Sequence, residues 1–139
     1  MKSFRLDIVS PEELIFSGRA HKLFVTGVMG ELEILGGHAS LLTSLAPGPV
    51  WIVGDDDKEE GLVIFGGMLE VQPEITIVLA DAVLRGRDID EAAAKAAKRM
   101  AEHAIARKEK GLNYAKAHTD LSISLAQLRI VRKLQTLRK

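Results

Sequence analysis

Between Arg85 and Glu91 the chain changes character, and that change constrains the fold more than any other feature. Before it, β-branched and aromatic residues alternate with polar ones in short runs broken by Gly and Pro. After it come alanines, leucines and charges, with no proline and a single glycine. The pattern predicts an N-terminal antiparallel β-sandwich over residues 1–86 and a C-terminal antiparallel two-helix hairpin over residues 87–139, a β + α chain. The junction carries a helix start: Asp88 is placed to cap free backbone N–H groups, and Glu91 three residues on to reach back to the cap amide.

In the first half, Phe4, Leu6 and Ile8 alternate with Arg5 and Asp7, which reads as a half-buried strand. Further strand candidates are Leu14–Phe16, Ala20–Val25, Glu31–Leu35, Val50–Val53, Leu62–Phe65, Met68–Val71, Ile75–Leu79 and Ala82–Leu84. About eight to ten short strands separated by turn residues fit a sandwich or barrel. Aromatics make up only 4% of the chain, so the core should be aliphatic. The run Asp55-Asp56-Asp57 marks an exposed hairpin loop, and Gly66-Gly67 a bend between strands.

In the second half, Ile89, Ala93, Ala96, Met100 and Ala104 recur at helical spacing as a narrow face of small residues. Glu91–Lys95 and Lys98–Glu102 are opposite charges four apart. Arg107 to Lys110 suit the negative end of a helix that stops at Gly111, and Asn113 is placed to cap the next. Tyr114, Ala117, Leu121, Leu125 and Leu128 form one apolar stripe of the second helix. Ile123, Ala126, Ile130, Leu134 and Leu137 form another. So wide an apolar face needs the sandwich or another protein to cover it. From Arg129 to Lys139 there are five cations and no acid, read either as a complement to the helix dipole or as a dock for an acidic partner.

Bulk properties exclude several functions. Nineteen acids balance nineteen Lys and Arg, which argues against a dedicated nucleic-acid binder. No cysteine means no disulfide and no thiol catalysis. No phosphate-binding glycine loop and no Gly-x-Ser-x-Gly elbow occur, and the four histidines lack metal-ligand spacing. No catalytic residue, metal or cofactor is therefore expected. From Met1 to Asp7 the chain alternates charge and apolarity too early for a signal-peptide core, and no apolar run reaches about 18 residues, so any membrane association should come through partners.

Gly37-His38-Ala39-Ser40-Leu41-Leu42-Thr43, then Gly66-Gly67-Met68-Leu69-Glu70-Val71-Gln72-Pro73, Leu79-Ala80-Asp81 and Arg85-Gly86-Arg87-Asp88-Ile89-Asp90 resemble the ε subunits of bacterial F-type ATP synthases, in order and in length. The resemblance implies a non-catalytic rotor subunit of a proton-translocating synthase, peripheral on the cytoplasmic face of the inner membrane. Its implied partners are the γ subunit, the c-ring and the β subunits. Met29, Gly30 and Glu31 match the segment facing the c-ring, and His38 and Thr43 lie in the γ-facing region. Arg129, Arg132 and Lys133 match a basic segment that meets an acidic part of β and blocks ATP hydrolysis.

Two departures from the family pattern matter. Gly36-Gly37-His38-Ala39-Ser40 stands where the family has Pro-Gly-His-x-Pro, so this turn should be less rigid. The family's nucleotide motif, Ile/Leu-Asp-x-x-Arg-Ala, is represented by Ile89 and Asp90, but Ala93 replaces the arginine that would meet phosphate. ATP is therefore not expected to be a regulatory ligand. Two other readings of the residues stand beside the resemblance: a free-standing module whose basic helix docks on nucleic acid, and a small hydrolase on a β scaffold.

Overall fold

In the computed structural model, which describes residues 2–107 and 111–137, the alternating half forms strands and the alanine-rich half forms helices. The strands are β1 (Phe4–Val9), β2 (Leu14–Gly27), β3 (Gly30–Leu35), β4 (Leu41–Gly54), β5 (Glu59–Val71), β6 (Ile75–Ala80) and β7 (Val83–Arg85). A 3-10 turn at Gly86–Asp88 leads to α1 (Glu91–Ala106) and α2 (Leu112–Leu137). The sheet runs β1-β6-β5-β4-β2-β3, with β7 on β5, and β1 also pairs with β2, so the sheet closes on itself. Strands joined by short turns pair antiparallel, as they must; β1 and β6, far apart in sequence, are free of that constraint and pair parallel.

Seven strands replace the eight to ten short ones expected, because several Gly and Pro breaks are corners within strands. β5 holds one register against β4 from Glu59↔Val53 to Val71↔Leu41. Within it, the residues entering the core change from Leu62 and Ile64 to Leu69 and Val71. The change of face happens at Gly66 and Gly67, whose φ values are +104° and +150°. A side chain at Gly67 would collide with the Leu79 carbonyl oxygen. In β4 the same change of face falls between Leu45 and Val50, around Pro47-Gly48-Pro49. The enclosed core is aliphatic apart from Phe4, with Leu6, Leu23, Ile64 and Leu69 fully shielded.

The helix start lies two residues later than expected. The Gly86–Asp88 turn, closed by Ile89 N–H to Gly86 carbonyl, absorbs Asp88, and the cap is Asp90, whose carboxylate accepts the Ala93 N–H at 3.0 Å. Glu91 pairs with Lys95 at 3.7 Å, whereas Lys98 and Glu102 do not pair. Leu112 opens α2, so Asn113 lies inside its first turn and is not its cap. Gly111 takes the left-handed conformation at φ +68°. Lys108, Glu109 and Lys110 of the expected α1 end, and Arg138 and Lys139, lie outside the described residues.

α1 buries Ala94 and Ala101 instead of the expected Ala93 and Met100; Met100 is 72% exposed. These alanines let α1 lie close along Ala117 and Ser124 of α2. Ser124 satisfies its buried hydroxyl by donating to the Asp120 carbonyl at 2.8 Å. The opposite side of α2 lies on the outer surface of β4 and β5, where Ala126 and Ile130 bury Trp51 and Val63, bordered by Phe24, Leu84, Ile89 and Leu134. Two glycines keep this surface low: a Cβ at Gly61 or Gly86 would stand 2.9 or 3.0 Å from the Ile130 Cγ2. The sandwich therefore supplies the cover that α2 lacked on its own.

Candidate functional site

The sequence points to surfaces and not to a catalytic pocket, and the fold separates those surfaces. β2 and β3 meet at Gly27↔Gly30 with only Val28 and Met29 between them, a two-residue hairpin loop that Gly30 closes at φ +134°. Alternation cannot bury residues at such a tip, so Met29 is 93% and Val28 57% exposed. Glu31 follows on β3. Of the segment Met29, Gly30 and Glu31, Met29 forms an apolar knob with Val28 before it, Gly30 closes the turn, and Glu31 looks back toward α2.

A second apolar surface lies on the outer face of β4, β5 and β6. Register places Leu42 beside Glu70 and Ile77, and Ser44 beside Met68 and Leu79. Leu42, Met68 and Leu79 are all exposed, and no helix covers them. Thr43 belongs to the other side of β4: it is half-buried, opposite Leu69, on the face that Leu41 and Leu45 turn to the core. His38 is half-buried in the turn before β4, where its Nδ1 lies 2.7 Å from the Ala39 carbonyl oxygen. Sequence reasoning singled out His38 and Thr43 and missed Leu42, Met68 and Leu79. Their signal was available, since apolar residues occupy both faces of these strands.

The basic residues of α2 do not form one strip. Arg129 Nη1 donates to Glu31 Oε1 at 2.7 Å, and its guanidinium carbon stands 5.1 Å from the centre of the Phe24 ring. Lys133 Nζ lies 4.4 Å from the centre of the Trp51 ring, whose indole N–H donates to Glu59 Oε1 at 2.8 Å. Arg132 points away from the sandwich, into a cleft shared with α1. The segment expected to meet the c-ring and the segment expected to meet β thus touch each other through Glu31 and Arg129, across 98 residues of chain.

Asp90 spends its carboxylate on the α1 cap, and Ala93 is exposed. Among the described residues no cluster of His, Asp or Glu is arranged to hold a metal ion, and no helix is long and apolar enough to cross a membrane. At Asp7 the role is structural: the Ser17 hydroxyl, donating to Oδ1 at 2.8 Å, outweighs desolvation and, with Arg5 at 3.1 Å, holds the carboxyl below the usual carboxylate range.

Comparison with known proteins accounts for both halves. Residues 3–86 match the family described as ATP synthase, Delta/Epsilon chain, beta-sandwich domain, and residues 87–132 match ATP synthase, Delta/Epsilon chain, long alpha-helix domain. The ATP synthase epsilon chain of Chromohalobacter salexigens is 47% identical over 135 residues, covering 97% of this chain and 96% of its own. Among solved structures, a chain of the Euglena gracilis mitochondrial ATP synthase OSCP/F1/c-ring in rotational state 1 superposes with a TM-score of 0.81. It shares 19% identity, over 91% of this chain and 79% of its own. A chain from the Tetrahymena thermophila mitochondrial ATP synthase central stalk/c-ring gives 0.59 at 15% identity, over 92% and 96%. At these identities the two structures speak for the fold.

Proposed function

The chain belongs to the delta/epsilon chain family of ATP synthase, and from that membership we propose that it is a non-catalytic rotor subunit of the central stalk. The observation that carries this reading is the pairing of a two-domain family match over residues 3–132 with a sandwich that exposes two separate apolar surfaces. The Leu42, Met68 and Leu79 face suits a stable partner, γ, with His38 and Thr43 at the adjoining turn and strand. The Val28-Met29 knob, with Gly30 and Glu31, suits the polar loops of the c-ring. Joined to both, the sandwich couples ring rotation to nucleotide chemistry in the β subunits, at the cytoplasmic face of the inner membrane.

The hairpin is the regulatory part. Arg129, Arg132 and Lys133 meet an acidic segment of β when α2 leaves its seat, and block hydrolysis. In the arrangement described above, Arg129 and Lys133 lie on Phe24 and Trp51, so the seated hairpin withholds two of the three cations. The same contacts leave a nucleic-acid module without a continuous basic face. Asp90 without an arginine at position 93 does not form an adenine-specific site; adenine-dependent ATP binding at micromolar affinity would overturn that point.

The test is a synthase carrying the chain truncated after Arg87. The truncated subunit is expected to assemble and co-purify with γ while ATP hydrolysis by the complex rises. Unchanged hydrolysis removes the inhibitory role, and loss of co-purification by the full chain removes the stalk assignment.

A further inference from the structure

The surface beside the β2–β3 turn is built from both domains. Glu31 pairs with Thr26, one step from the Gly27↔Gly30 pair that closes the turn, so it stands at the foot of the Val28-Met29 knob. On the same stretch of β2 and β3, Lys22 meets Glu33 at 3.0 Å. Arg129 comes to this surface from α2: its Nη1 donates to Glu31 Oε1 at 2.7 Å, and its guanidinium lies over Phe24, the residue opposite Glu33. Both members of the Glu31–Arg129 pair stay about half exposed. A guanidinium carries five N–H donors and a carboxylate two oxygens, so one shared hydrogen bond leaves each group able to engage a second protein. Seating the hairpin therefore changes the charge beside the knob. With α2 in place Glu31 has its cation, and with α2 gone it stands without one.

We propose that Arg129 belongs to the ring-facing surface, which then runs from the Met29 knob across Glu31 onto the seated hairpin. The inference rests on the reading of the β2–β3 turn as the c-ring contact. Continuity carries it: a partner seated on Met29 and Glu31 meets a guanidinium 2.7 Å from that carboxylate. The partner that fits is a polar loop that packs apolar atoms on Met29, gives Glu31 a donor and gives Arg129 an acceptor, a carboxylate or a backbone carbonyl. In such a contact the apolar knob supplies the core, and the two rim charges of opposite sign fix register and reject a loop of the wrong polarity. A hairpin that adds a contact to the ring is in turn held on its seat by the ring, with the same factor in both directions. The ring loop and the acidic segment of β thus compete for one guanidinium, the first with the hairpin seated and the second with it released.

Sedimentation of the chain, in complex with γ, with the detergent-purified c-ring of the same synthase tests the surface. Met29→Asp should weaken attachment at least about tenfold; unchanged attachment would remove the ring reading itself. Arg129→Gln should weaken it about twofold to fivefold at low salt, as suits a half-exposed charge, and the difference should fade at high salt. Emission of Trp51, the only tryptophan, should stay at the parent value in the isolated Arg129→Gln chain, which separates loss of the charge from loss of the seat. In a Glu31→Gln background Arg129→Gln should still lower attachment, because the guanidinium meets the ring itself. Parental attachment of Arg129→Gln, or no further loss in that background, would show that Arg129 only holds α2 or orients Glu31. Either result overturns the inference and leaves the turn's own contact standing. Lys116→Gln, about 20 Å along the same helix, should attach as the parent does, and an equal loss there would reduce the effect to diffuse charge and overturn the inference as well.

Discussion

The chain contains two apolar cores, and they are built on opposite terms. The first lies wholly inside the sandwich, where buried residues from β1 to β6 meet with Val83 of β7 packed at their margin, and the sheet closes around them through the β1–β2 pairing. The second is a seat: Trp51 and Val63 from the sheet's outer surface against Ala126 and Ile130 from α2. One core is made by the same elements that enclose it. The other exists only while two domains touch, and α1 itself adds nothing to it: Ile89, the residue before the α1 cap, is as near as it comes. A closed core fixes a shape, and a seat of four buried side chains permits a helix to leave without unfolding what it leaves behind.

The largest effects should divide along that line. Leu23 is fully buried in the first core, so Leu23→Ala should cost about 3–4 kcal/mol and lower the urea midpoint of the whole chain. Ile130→Ala removes the side chain that fills the low ground over Gly61 and Gly86 and should weaken docking by about 2–4 kcal/mol. Its signature is local: Trp51, the only tryptophan, shifts its emission to the red while the β-sheet circular dichroism and its melting temperature hold. If Ile130→Ala instead lowers the melting of sheet and helices together, the two cores are one cooperative unit and the contrast fails.

The contrast also explains what sequence could reveal. Phe4-Leu6-Ile8 alternation and the alanine-rich helical run are local patterns, so the β + α order and the hairpin were legible. Strand continuity was not, because Gly66-Gly67 looks the same in sequence whether it ends a strand or turns one inside out. The cap moved from Asp88 to Asp90 because both residues offer the same carboxylate, and only the preceding 3-10 turn decides between them. Of the candidate surfaces, the basic residues and the β2–β3 turn could be singled out in sequence, but their meeting at Glu31 and Arg129 is a tertiary fact with no local trace.

A smaller effect sharpens the account of the seat's rim. The Glu31–Arg129 pair is about half exposed on both sides, so its direct contribution should stay below about 1 kcal/mol despite the 2.7 Å contact. Glu31→Gln should therefore leave Trp51 emission nearly unchanged in low salt, and the remaining difference should vanish at high salt. A loss as large as that of Ile130→Ala would show that charge, and not apolar burial, holds α2 down.

The smallest effect lies in the sandwich itself, where surface electrostatics decorate a core that does not depend on them. Asp7 and Ser17 face each other across β1 and β2, with Arg5 beside them donating to both. The Ser17 hydroxyl is the largest cause of the lowered Asp7 pKa, so Ser17→Ala should return that carboxyl toward its ordinary value in an NMR titration. A carboxylate whose folded pKa is depressed stabilises the fold above its unfolded pKa, about 3.9, and loses that contribution as pH falls through the folded value. The variant should thus be slightly less stable than the parent at pH 7, by less than about 1 kcal/mol, and the gap should narrow below about pH 4 as both carboxyls protonate. A gap that widens in acid would mean that Ser17 supports the neutral acid, and that the hydrogen bond read as favouring the carboxylate has the opposite role.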